Sequence, residues 1–165
     1  MPASFVCSIC GQEHQGLTTD WAYKLPDVVW AIPEPERSAV ARFSDDLCQF
    51  GDRCYIRCDH PVRLLETDGE FGWGAWAEVE ASVFRRYLEL FDTDGSAEPT
   101  HAGALANALP AYADSLGAAV LVQFRDATKR PTLPLPDAAD GVLAREQRGG
   151  IDNARYHEIL DLIGR

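Results

Sequence analysis

The sequence predicts an α+β fold: a single domain with a mainly antiparallel sheet, helices packed on it, and an N-terminal zinc knuckle. Three observations carry that reading. Between residues 47 and 80 the chain passes through "LCQF", "RCYIRC", "PVRLLE" and "FGWGAWAEVE", short runs of aromatic and β-branched residues with the texture of strands. Helical periodicities surround this cluster of strands and do not alternate with it, which favours α+β. The segment "CSICGQEHQGL" near the N-terminus holds two cysteines at the spacing of a metal-binding turn.

At 165 residues the chain fits one domain, 1–165, with 1–20 as the knuckle segment. A domain of this length buries roughly two thirds of the surface its unfolded form exposes, so a metal is not obligatory for a core. Hydrophobic residues at 46% and charged residues at 25% are globular proportions. No apolar run approaches the ~20 residues of a membrane span. The opening "MPASFVCSIC" has neither the basic stretch nor the apolar core of a secretory signal. The expectation is therefore cytoplasmic, where five cysteines serve as thiols or metal ligands rather than disulfides. A net charge of -11 repels phosphate backbones and anionic headgroups at long range. That argues against nucleic acid and membrane partners and leaves a protein or a small molecule.

Along the chain, "PEPERSAVARF" from Pro33 has an early proline, acids in its first turn, and Val40 and Phe43 three apart, which predicts a short helix capping the sheet. In "FGWGAWAEVE", Phe71, Trp73, Ala75, Ala77 and Val79 share one face of a strand. Gly72, Gly74, Trp76, Glu78 and Glu80 take the other. Trp76 is thus an aromatic on the polar face, either packed against a second layer or offered as a stacking platform to a ligand. Ser82 reads as the N-cap of "VFRRYLELF", a helix with an apolar stripe of Val83, Phe84, Tyr87, Leu88 and Phe91. Residues 92–101 and 126–137 read as loops. "AAVLVQF" at 118–124 is nearly all apolar and predicts a central strand. Asp152 caps a closing helix that runs to Ile163, with Tyr156, Ile159 and Leu160 inward.

Cys7-x2-Cys10 lets two thiolates from one tight turn reach a single tetrahedral ion, and His14 lies one loop away. No strand precedes the pair and no thioredoxin-like pattern surrounds it, so structural zinc is preferred to redox chemistry. A fourth ligand must come from Cys48, Cys54, Cys58 or His60. In an extended "CYIRC", Cys54 and Cys58 stand about 13 Å apart at ~3.3 Å per residue, too far to share one ion. The predicted set is Cys7, Cys10, His14 and Cys48. The pair Cys58 and His60, two apart on one face, is the alternative completion in place of His14 and Cys48.

The blocks "CSICGQEHQGL", "SDDLCQF" followed by "YIRC", "FGWGAW" and "LAREQRGGI", in that order over almost the whole chain, resemble the bacterial family catalogued as domain of unknown function 2199. The resemblance implies the same ligands: Cys7, Cys10 and His14 match the family's opening pattern and Cys48 its aspartate-x-cysteine step. Cys54 and Cys58 fall where the family carries an aromatic residue and a glycine. This chain departs from it at Gly141 and Val142, where members often have histidine and proline. No function comes with the resemblance.

Four protein ligands would close the zinc to substrate, whereas an open fourth position would resemble a catalytic zinc. The sequence contains no H-E-x-x-H, no G-x-S-x-G and no phosphate-binding glycine loop. The expectation is a binding or interaction module with a structural zinc. The alternative is a zinc-dependent hydrolase holding water in the fourth place. Glu146, Gln147 and Arg148, before "GGI", form a polar cluster that together with Trp76 marks a possible ligand or partner pocket. His101 reads as a solvated side chain, His157 as an edge residue, and Arg57 as the partner of a nearby acid.

Overall fold

The structure, a computed structural model, describes residues 4–6, 13–15, 20–67 and 69–163, with side chains from residue 20 onward. β1 (Ser4–Val6) and β2 (Glu13–Gln15) pair as an antiparallel hairpin, Phe5 opposite His14, so a strand does precede the Cys7–Cys10 pair, against the expectation of none. β3 (Asp20–Ala22) leads through Pro26 into the single turn α1 (Asp27–Trp30), then α2 (Glu34–Val40) and β4 (Ala41–Phe43). The main sheet continues with β5 (Leu47–Phe50), β6 (Arg53–Arg63) and β7 (Glu70–Val79). After α3 (Ala81–Glu89) come β8 (His101–Leu105) and β9 (Ala119–Val122), then α4 (Val142–Gly149) and α5 (Asn153–Leu162). Strand order is β4-β5-β6-β7-β8-β9, every neighbouring pair antiparallel, with β3 parallel to β7. The class is α+β with one mostly antiparallel sheet.

"RCYIRC" and "PVRLLE" are parts of one strand, β6, despite Pro61. The Asp59 amide points away from β7 and donates to the Pro131 carbonyl at 2.8 Å. Pro61, two residues on, would aim its missing N–H the same way, so it removes no bond from the β6–β7 ladder. The 131–134 strip lies along this edge. Leu133 N–H donates to Asp59 O at 3.1 Å, and on its other side the strip bonds β9, through Leu121 N–H to Pro134 O at 2.8 Å and reciprocal Gln123–Thr132 bonds at 3.0 Å. β6, β7, β8, β9 and the strip thus close into a ring. An unpaired strand edge is a liability, and closure removes it.

Alternation along the strands sorts side chains onto two faces, as the reading of "FGWGAWAEVE" requires. The inner face carries Ile56, Cys58, Phe71, Trp73, Leu105, Val122 and Leu133 into one core with Val83 and Phe84 of α3, Ala144 of α4, and Tyr156, Ile159 and Leu160 of α5. The opposite face carries Cys48, Tyr55 and Trp76 into a smaller cluster under Leu25, Val29 and Ala41. At Trp76 the second edge of β7 divides between β3 and β8. Asn107, fully buried, fills the fork: its Oδ1 accepts from Trp76 N–H at 2.8 Å while its Nδ2 donates to Leu25 O at 3.0 Å and Asp27 Oδ1 at 2.9 Å. An unmet amide there would cost about 1–3 kcal/mol.

Four local expectations need correction. The helix after Pro33 stops at Val40 and buries nothing, so it does not cap the sheet; Phe43 is instead a residue of β4. Ser82 lies inside α3, whose N-cap is Glu80 with no side-chain cap bond. "AAVLVQF" supplies the last strand of the order, not a central one, and its apolar character answers to the strip beside it. His101 opens β8, a strand that "HAGAL" did not announce. The closing helix is as expected: Asp152 caps it by accepting from Arg155 N–H at 2.8 Å. Among the described residues no helix is long and apolar enough to cross a membrane.

Candidate functional site

Cys7 and Cys10 lie outside the described residues, as does the His14 side chain. The backbone of His14 is in β2, and β1 and β2 bracket residues 7–12. Cys48 is buried in mid-strand, paired with Phe43 and Tyr55. Burial pushes its thiol up to about 11, so an ion at this sulfur would have to displace a tightly held proton. Cys58 and His60 lie on the opposite face, directed into the inner core. Cys48 and that pair therefore cannot serve one ion. Cys58 Sγ donates to Ile56 O at 3.4 Å, and burial raises its thiol further still. Among the described residues no group of three potential ligands stands close enough to hold a metal.

The predicted pocket residues are brought to two separate places. Trp76 is fully buried, and its Nε1–H donates to Tyr23 O at 3.0 Å. It presents no ring face to a ligand; the second layer over the sheet has taken it. Glu146, Gln147 and Arg148 sit on α4 and each is engaged by the chain itself. Glu146 receives Arg155 Nε at 2.8 Å and 3.0 Å. Arg148 donates to the carbonyls of Pro136, Asp137 and Ala139 at 2.8–3.1 Å. Gln147 accepts from Leu135 N–H at 3.0 Å and donates to Leu133 O at 2.9 Å. Gln147 thus latches the strip that closes the ring, while Glu146 ties α4 to α5 and Arg148 ties it to residues 136–139.

The latch reaches a buried polar seam. Leu133 O also receives His60 Nδ1–H at 3.0 Å, and His60 Nε2 and Trp73 Nε1 are enclosed without a hydrogen-bond partner among the described residues. His60 and Trp73 are direct cross-strand neighbours. Burial holds His60 below the ordinary histidine value of 6.5.

The open concavity lies on the other face. A cleft of about 430 Å³ is floored by Gly72 and Gly74 of β7, walled by Ala22 of β3, and rimmed by Arg57, Arg125 and Arg130. A Cβ on Gly74 would come within 2.8 Å of Ala22 Cβ, so the glycine lets β3 approach. Asp59, Arg125 and Arg130 also line a second cleft of about 400 Å³ beside Tyr87 and Phe124. Arg125 pairs with Asp59 at 3.1 Å and Arg130 with Asp46 at 2.9 Å. Arg57, expected beside an acid, has Asp45, Asp46 and Asp59 near enough for their charges to act on it, but its Nη1 donates to the Asp45 carbonyl at 3.2 Å and it forms no ion pair among the described residues. Burial, and then the charge of Arg130, hold Arg57 below the ordinary arginine value. Sequence reasoning missed this group because "RDATKR" and β6 are far apart along the chain; the one available signal was the run of Arg57, Asp59 and Pro61 opposite two glycines.

No curated protein and no solved structure matches the chain. A family model described as "uncharacterized protein conserved in bacteria (DUF2199)" matches residues 6–151. The match takes in the whole main sheet, the strip and α4, and ends just before α5. The chain therefore belongs to the bacterial family of domain of unknown function 2199.

Proposed function

We propose that this chain is a binding or interaction module whose N-terminal hairpin is fixed by a structural zinc ion held by Cys7, Cys10, His14 and Cys48. The supporting observation is the pairing of β1 with β2, Val6 opposite Glu13. Cys7 and Cys10 fall in sequence between these two strands and His14 is a residue of β2, and together they are a donor set suited to tetrahedral zinc. Cys48 faces the layer built by residues 25–41, whereas Cys58 and His60 face the inner core; this favours Cys48 as the fourth donor. A structural zinc contributes on the order of 10 kcal/mol to folding.

The burial of Cys48 also motivates the second reading, a zinc-dependent hydrolase with water in the fourth position. Cobalt substitution separates the two. The expected result is about one metal per chain and a thiolate-to-cobalt absorption that falls in Cys48→Ser. An absorption unaltered in Cys48→Ser but lost in Cys10→Ser assigns the open site, and a protein that takes up no metal sinks both readings.

A further inference from the structure

In a protein of net charge -11, three guanidinium groups converge on the cleft beside β3. Arg125 and Arg130 are each answered by an aspartate. Arg57 is not. Its one side-chain hydrogen bond among the described residues goes to a backbone carbonyl, and its Nε is enclosed without an acceptor. The β6–β7 register sets Arg57 opposite the buried Trp76 and two residues before Asp59 on the same face. Beyond it the floor is Gly72 and Gly74, which supply no side chain to meet the cation.

We propose that this cleft binds a small molecule through one compact oxyanion, a carboxylate or a phosphate, received between Arg57 and Arg130. An anion there separates two like charges and meets the terminal nitrogens of the Arg57 guanidinium, which no carboxylate pairs among the described residues; guanidinium groups match planar and tetrahedral oxyanions alike. Asp20, Asp59 and Glu70 on the lining repel further negative charge, so the cleft selects a single anionic head on a neutral or cationic body and rejects polyanions. This names the ligand class for the binding-module reading and rests on it, but it does not depend on the metal.

The test is calorimetric titration of the full chain with inorganic phosphate and, separately, acetate, at constant ionic strength. Saturable binding of at least one is expected, weakened about tenfold or more in Arg57→Gln and unchanged in Arg37→Gln, whose guanidinium stacks on Trp30 away from the cleft. The tighter of the two anions identifies the headgroup. In anion-free buffer Arg57→Met should melt no lower than the parent protein, because it removes a half-buried cation that lacks a carboxylate partner. Absence of saturable binding, equal binding by Arg57→Gln, or a clear fall in the melting temperature of Arg57→Met overturns the proposal. Such a failure leaves the zinc reading standing, since that one is decided by the cobalt spectrum.

Discussion

The Leu133 carbonyl accepts from both His60 and Gln147, and this fixes the state of the histidine. A carbonyl cannot donate, so Nδ1 carries the proton and Nε2 is left as an acceptor. Protonating the ring would add a second N–H at Nε2, enclosed beside the Trp73 Nε1–H, with no acceptor for either among the described residues. Burial lowers the proton affinity of this imidazole and the Leu133 bond opposes it; burial wins. With the folded value below the unfolded 6.5, the unfolded chain binds the proton more readily, and stability falls with pH. The contribution is whole above pH 6.5 and is lost as pH drops from there toward the folded value. Chemical denaturation at several pH values should show this loss. His60→Asn, which retains a donor near Nδ1, should show a shallower one; parallel profiles for the two proteins would remove His60 as the cause.

At the scale of elements, the 131–134 strip decides whether the sheet is open or closed, and Gln147 is the side chain that holds it from outside. Gln147→Ala leaves Leu135 N–H and one lone pair of Leu133 O unmet, which should cost about 1–3 kcal/mol. The loss should be local: hydrogen exchange should quicken at Leu121, Thr132 and Leu133, whose amides cross the closure, while the β6–β7 ladder keeps its protection. Uniform acceleration would mean that the strip has no separate opening. The strip was not legible in the sequence. Pro131 and Pro134 offer carbonyls without N–H groups, so "RPTLPLP" pairs intermittently and reads as a loop. The alternation in β7 and the Asp152 cap were legible because each depends on neighbours within a few residues. Glu146, Gln147 and Arg148 were recognisable as a polar cluster, but their partners lie in Arg155, the strip and residues 136–139, and the sequence does not say which face of α4 meets them. Arg57 was visible as a charge; that no carboxylate among the described residues pairs with it follows only from the fold.

For the molecule as a whole, the ring and its two faces divide the labour. The inner core with α3, α4 and α5 carries most of the apolar burial, and the outer face carries the smaller cluster and the arginine-lined cleft. Over this body, 26 acidic residues face 15 basic ones, so at neutral pH the long-range charge interaction opposes compaction. The described ion pairs sit at contact distance, among them Arg53–Glu78 at 2.6 Å and Arg155–Glu146 at 2.8 Å. Salt discriminates between the two effects by range. Raising ionic strength from about 0.01 M to about 0.15 M shortens the Debye length from about 30 Å to about 8 Å, which removes repulsion across the molecule but leaves partly buried contact pairs much less affected. The melting temperature at pH 7 should therefore rise with sodium chloride over this interval. A fall would show that local pairs outweigh the excess of eleven negative charges, and in that case neutralising single surface carboxylates would weaken the fold instead of strengthening it.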